Sequence, residues 1–180
     1  MKQKFLGAAI AAAFGLCGAA SAQFQTPYSG EPHGVTIRGG IAFPFDSHLR
    51  DISKTFIGAG LEYSLTHEWI PNSTTFLSVD WFGKNANGQK GNVFPLAINQ
   101  RFYTGKSVRK LNDTRAYWFV GVGYTFVDVT SSFNKPSARG GVGADIGPNF
   151  VLEAAGYVSG KGPDGVSANA IGIYAGYRFR

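Results

Sequence analysis

Between residues 34 and 179, apolar side chains recur at every second position in eight successive runs. The last run shows the pattern most cleanly. Across Asn169–Phe179, Ile171, Ile173, Ala175, Tyr177 and Phe179 alternate with Ala170, Gly172, Tyr174, Gly176 and Arg178. Successive side chains of an extended chain point to opposite sides, so this period predicts a β-strand whose faces meet different media. The earlier runs are Gly34–Phe43, Thr55–Leu65, Thr74–Gly83, Val93–Tyr103, Arg115–Val127, Ser137–Ile146 and Asn149–Ser159. Each is about as long as a tilted strand that crosses a bilayer.

The intervening stretches carry turn chemistry: Pro44–Lys54 is charged, Lys84–Asn92 (KNANGQKGN) is rich in asparagine and glycine, and Gly147-Pro148 is tight. Thr66–Ser73, Thr104–Thr114, Asp128–Pro136 and Gly160–Ala168 complete the connections. No repeat unit or second domain interrupts the series. The expected fold is all-β, an eight-stranded antiparallel up-and-down transmembrane β-barrel. It closes because open strand edges cannot be left in hydrocarbon.

In this register the polar faces carry Arg38, Glu62, Asp80, Arg101, Arg139, Asp145, Glu153 and Arg178, whereas no apolar face carries a charge. Arg115 falls at a strand end, and Gln100 and Pro95 are blemishes in their run. The lysines beyond residue 22 (Lys54, Lys84, Lys90, Lys106, Lys110, Lys135 and Lys161) are expected in loops or turns. A guanidinium holds its charge in confinement and offers carboxylates a planar fork, which suits a buried ion-pair network. A soluble barrel with a greasy cavity would need lysine and glutamate on its outer face, and these strands lack them. The apolar face is therefore expected to meet lipid, and the arginine face to fill a narrow lumen. The pairs expected there are Arg38–Glu62 and Glu153–Arg178.

Aromatic positions support this direction. Tyr63, Phe102, Trp118, Phe150, Tyr177 and Phe179 fall toward one end of the apolar faces, and Phe43, Trp81, Phe94, Tyr124 and Phe126 toward the other. Two aromatic bands around an aliphatic middle match the girdles at the two membrane interfaces.

Composition adds an expected route. Lys2 and Lys4, the apolar run Phe5–Leu16 and Ala20-Ser21-Ala22 read as a signal peptide over residues 1–22, followed by a periplasmic lead-in over 23–33 and the barrel over 34–180. Bulky Leu16 before Cys17 argues against a lipid-attachment site. Loss of the leader removes the only cysteine, so neither disulfides nor a thiolate metal site is expected. Loss of the two leader lysines lowers the formal charge from +6 to +4, with no basic run, which argues against nucleic acid as a partner.

The chain resembles the small eight-stranded outer-membrane barrels of Gram-negative-type envelopes, the OmpA and OmpX kind. The leader ending Ala20-Ser21-Ala22, the alternating runs over 34–179 and the closing Tyr177-Arg178-Phe179 carry the likeness. The resemblance implies outer-membrane localisation after export through the periplasm. It also implies that Tyr177 and Phe179 form the signal read by the barrel-assembly machinery, although Arg180 follows them. It brings no binding motif and no cofactor, and fold analogy assigns no function.

Candidate chemistry is sparse. His33, His48 and His67 show no metal-ligand spacing, and Ser47-His48 with Asp46 or Asp51 is the one arrangement near a nucleophile and base. Adjacent residues seldom face each other productively, so no catalysis is expected. The remaining expectation is a structural barrel with a salt-bridged lumen. The alternatives are a surface adhesin or lipopolysaccharide-interacting barrel acting through its outer loops, or a narrow small-solute pore. For the first, Lys84, Lys90, Lys135 and Lys161 are placed to meet lipopolysaccharide phosphates.

Overall fold

The computed structural model describes residues 34–65, 70, 73–86, 88–104, 113–129, 131–162 and 165–179. The expected leader and lead-in, His33, His67, Lys106, Lys110 and Arg180 lie outside these residues. The strands are β1 (Gly34–Pro44), β2 (Phe56–Ser64), β3 (Ser73–Ala86), β4 (Gln89–Tyr103), β5 (Thr114–Asp128), β6 (Ser132–Ile146), β7 (Phe150–Ser159) and β8 (Ala170–Phe179). Each pairs antiparallel with its sequence neighbours, and β1 pairs with β8 from Val35↔Phe179 to Pro44↔Ala170. The sheet is thus a closed eight-stranded up-and-down barrel, with no edge along the β1–β8 seam.

Faces sort as the alternation requires. Val120, Val122, Val142, Val158, Ile57 and Ile173 lie on the outside, each more than half exposed. Arg38, Glu62, Asp80, Arg101, Arg139, Asp145, Glu153 and Arg178 are buried inside. Inward glycines make room for them: a Cβ on Gly60 would lie 2.2 Å from Asp80 Oδ1 and 2.6 Å from Arg38 Nε. On the outer face, Phe102 stacks on Trp118 (4.2 Å between centroids), while Tyr177 packs edge-on against both Phe150 (5.5 Å) and Phe179 (4.9 Å).

Three local features refine the expectation. First, the stretches 84–92 and 128–136 are mostly strand. The β3–β4 pairing continues to Ala86↔Gln89 and the β5–β6 pairing to Asp128↔Ser132. Lys84, Lys90 and Lys135 consequently lie on β3, β4 and β6 and not in loops. Alternating polarity marks only the part of a strand whose faces differ in environment, whereas ladder pairing satisfies backbone groups of polar residues equally well. Gly88, at φ 74°, sits beside Gln89 where the first of these hairpins turns.

Second, the charged stretch after β1 contains a short helix, α1 (Ser47–Ile52). Asp46 caps it by accepting from the His48 backbone N–H at 3.0 Å. Leu49 and Ile52, three residues apart on one face, are buried.

Third, the two blemishes of β4 are accommodated. Pro95 has no N–H, and the β3–β4 ladder skips from Val79↔Leu96 to Phe82↔Val93 at its level. Gln100 accepts from Thr75 Oγ1 at 2.7 Å and donates to Ser73 Oγ, so its outward amide is paired.

Candidate functional site

The lumen holds two ionic tiers. The central one brings together Arg38, Arg101 and Arg139 with Glu62, Asp80 and Glu153. These come from β1, β2, β3, β4, β6 and β7, because each strand turns every second residue inward. Arg38 spans three carboxylates: Nη1 lies 2.6 Å from Glu62 Oε1 and also contacts Glu153 Oε1, while Nη2 lies 2.6 Å from Asp80 Oδ1. Arg101 Nη2 donates to Glu62 Oε2 at 2.7 Å, and Arg139 Nη2 to Glu153 Oε1 at 2.5 Å. Three cations face three anions, so the tier is formally neutral, the condition under which buried charge is tolerated.

Aromatic groups enclose this tier. The Tyr117 hydroxyl donates to Glu153 Oε2 and that of Tyr157 to Asp80 Oδ2, both at 3.1 Å. The Arg101 guanidinium sits 4.2 Å from the Phe76 ring centre and 4.4 Å from that of Tyr117, and Arg139 lies 4.6 Å from Phe119. Such faces take a planar guanidinium better than an ammonium. Toward the α1 end, Phe56, Phe82, Val93, Leu49 and Ile52 form an apolar layer above the charges.

The second tier lies at the end that carries Gly34 and Phe179. Arg178 Nη1 is 3.0 Å from Asp145 Oδ1 and its Nε donates to Thr36 Oγ1 at 3.3 Å, while Arg115 Nη2 is 3.9 Å from Asp145 Oδ2. The Arg115 guanidinium lies 3.5 Å from the Tyr103 ring centre.

The Arg38–Glu62 contact is present, but Glu153 and Arg178 belong to different tiers. Glu153 stands opposite Tyr174, four residues from Arg178 along β8, and Arg178 bonds through its backbone N–H to Asn149. At about 3.4 Å per residue that offset is beyond the reach of a contact. Strand alternation gives the face of each residue, whereas the stagger between strands decides which charges meet. Tyr117 and Tyr157 share the inward parity of the arginines and lie in the lumen as that parity requires; the bonds of their hydroxyls to Glu153 and Asp80, and the place of Arg115 in the second tier, are set by the stagger.

At the opposite end, all four connections converge. A cleft of about 570 Å3 is walled by His48, Asp51 and Ile52 of α1, Gly88–Lys90 of the β3–β4 hairpin, Val129 and Ser131 between β5 and β6, and Val166. His48 Nδ1 lies 3.3 Å from Asp46 Oδ1, the same oxygen that caps α1. Partial burial disfavours the charged form of Asp46, but hydrogen bonds from Ser167 and His48 outweigh it and hold the carboxyl below its usual pKa. Of the Ser47–His48–Asp46 arrangement, it is Asp46 that is engaged, as the helix cap, with the His48 ring beside it. Lys84, Lys90 and Lys161 are exposed around this end, and Lys135 is half-buried against Gly160. Tyr177 and Phe179 are on the outer face at the other end.

No protein-family model and no curated protein sequence matches the chain. Solved structures do. Neisserial surface protein A is 11% identical, over 80% of this chain and 94% of that one, with a TM-score of 0.55. Ail, the attachment invasion locus protein of Yersinia pestis, is 18% identical over 82% and 99%, with a TM-score of 0.53. The outer membrane enzyme PagL is 9% identical over 81% and 99%, with a TM-score of 0.55. At these identities the likeness is one of fold: the chain has the architecture of the small eight-stranded outer-membrane barrels.

Proposed function

Proceeding from that architecture, we propose that the protein is a structural barrel of a Gram-negative-type outer membrane, exported through the periplasm, with a lumen plugged by its own ion pairs. The observation that carries this reading is the outer surface. From Thr114 to Phe126, for example, the outward positions of β5 are Thr114, Ala116, Trp118, Val120, Val122, Tyr124 and Phe126, none charged. Moving one such aliphatic side chain from water to hydrocarbon gains about 1.5–3 kcal/mol when complete, and here the exposed ones form a continuous band. Only lipid offers all of them that transfer at once.

Against a pore stands the formally neutral central tier, whose six charged side chains are all buried. An open path would have to unpair charges at a cost of several kcal/mol each. In planar bilayers the folded protein should give no discrete openings, and its gel mobility in cold detergent should change on heating; stable single-channel steps would overturn the plug. We read the chain as non-catalytic, since both oxygens of Asp46 are engaged, one capping α1 and the other accepting from Ser167. Tyr177 and Phe179 would serve as the signal to the barrel-assembly machinery.

A second reading is interaction through the α1 end. Lys84, Lys90, Lys135 and Lys161 gather there with an exposed Phe45, and the similar fold of Ail belongs to a protein named for attachment. Lipopolysaccharide phosphates are the surface these cations suit, at roughly 1 kcal/mol per lysine. Binding of lipopolysaccharide to vesicle-reconstituted protein, weakened by replacing these lysines with glutamine, is the expected result for this reading.

A further inference from the structure

We propose that the cleft at the α1 end binds a small zwitterion, with Lys90 taking its anionic group and Asp51 its ammonium. The cleft is built from all four connections of this end, and its volume of about 570 Å3 falls within the range of small-molecule sites, which occur in barrel mouths. Its lining combines apolar Ile52 and Val129 with the polar residues Asp51, Lys90, His48 and Ser131. Asp51 and Lys90 stand on separate walls, α1 and β4, and among the described residues neither side chain has an ion-pair or hydrogen-bond partner.

That isolation contrasts with the lumen, where every carboxylate meets an arginine within 4 Å. A simple anion drawn to Lys90 would share the cleft with the Asp51 carboxylate, and a simple cation the reverse. A solute carrying both charges satisfies both walls, and its short apolar part can rest on Ile52 and Val129. The α1 wall is held in place: Asp46 ties it to the β7–β8 connection through Ser167, and Ile52 packs over Gly91 of β4, where a Cβ would lie 3.0 Å from Ile52 Cδ1, so little ordering opposes binding. Both charged groups remain hydrated, so binding is weak and specific in charge pattern more than in affinity.

The test uses the folded full chain in nanodiscs, titrated with leucine, N-acetyl-leucine, leucinamide, glycerophosphoethanolamine and inorganic phosphate. The readout is amide NMR shifts in α1 and the β3–β4 hairpin. Leucine is expected to bind at least tenfold more tightly than N-acetyl-leucine or leucinamide, each of which keeps one charge. D51N and K90Q should each weaken it about tenfold, while D51K/K90D restores it; unchanged heat-modifiable mobility shows that each variant is folded. Tighter binding of glycerophosphoethanolamine than of leucine supports the same site with a phosphate as the natural anion, hence a lipid-headgroup source. Equal binding of all probes, no binding, or indifference to D51N and K90Q overturns the proposal. So does phosphate binding that D51N strengthens, which would make Lys90 a plain anion contact.

Discussion

Asp46 and Ser167 are 121 residues apart, yet one carboxylate oxygen of Asp46 accepts both the Ser167 backbone N–H (2.9 Å) and its hydroxyl (3.0 Å). The other oxygen caps α1, and the neighbouring Phe45 N–H bonds to Asn169 O at 2.8 Å. One side chain thus clips the first connection to the last, across the seam where β1 meets β8.

Replacing Asp46 by alanine should release both connections without opening the barrel. Amide exchange should accelerate in residues 47–52 and 166–169, while exchange across β3–β6 stays unchanged. The pH dependence has a fixed sign. Asp46 has a depressed pKa in the folded state, so its contribution is present above the unfolded carboxyl value and is lost as pH falls through the lower folded value. The protection factors of the wild type, with the intrinsic pH dependence of exchange divided out, should therefore hold from neutrality down to about pH 4 and fall only below it. A loss of protection already at pH 6 would separate the effect from the Asp46 carboxylate.

In the central tier, Glu153 contacts Arg38 and Arg139 and accepts from Tyr117. Glu153→Gln keeps the shape but leaves buried cations in excess. It should destabilise the barrel by about 3–5 kcal/mol, read as a lowered urea midpoint in lipid vesicles. Arg139→Met combined with Glu153→Met restores neutrality and should cost clearly less than the sum of the single changes.

Inward and outward glycines should respond oppositely to alanine. At Gly60 the new Cβ would collide with Asp80 and Arg38, both held in the ion network, so Gly60→Ala should cost about 1–3 kcal/mol. At Gly156 its nearest neighbour would be Gly140 O at 3.6 Å, an ordinary contact. Gly156→Ala should be neutral or stabilise by about 0.5–1 kcal/mol, because glycine weakens a strand through backbone entropy. One position faces the packed ion network and the other the outside of the wall, so the urea midpoints of the pair report facing.

The contrast between Gly60 and Gly156 also shows what was legible in the sequence. Parity along each strand told inside from outside, because the two faces of the wall meet different media. Partner choice in the lumen was not legible: Glu153 meets Arg38 and Arg139, and Arg178 meets Asp145, because of the stagger between strands that no single strand encodes. Strand ends were hidden for a related reason. Beyond the apolar band both faces of β3 and β4 are polar, so Lys84 and Lys90 continue the ladder without leaving a periodic trace. Helix α1 did leave one, a capping aspartate followed by Leu49 and Ile52, but too short for periodicity to stand out.

The outer face offers the sharpest separation between lipid and water as its solvent. Val120 is 52% exposed, lies mid-strand on β5, and pairs with Gln100 on one side and Gly140 on the other. If water covered this face, Val120→Arg would add a hydrated charge to a half-exposed position and change stability little. In lipid the guanidinium has no water at that depth, and the cost is about 2–4 kcal/mol near the bilayer middle. Phe126, on the same face near the α1 end and 47% exposed, supplies the control. Phe126→Arg places its charge at the interface, where the charge penalty falls to about 0–1 kcal/mol, so what remains is the loss of the ring. Comparison with Phe126→Ala and Val120→Ala isolates the charge in each case. The expected result is a charge penalty at least about 2 kcal/mol larger at 120 than at 126, measured by urea unfolding in phosphatidylcholine vesicles. Equal penalties at the two depths would mean that the exposed valines and isoleucines face something other than a bilayer.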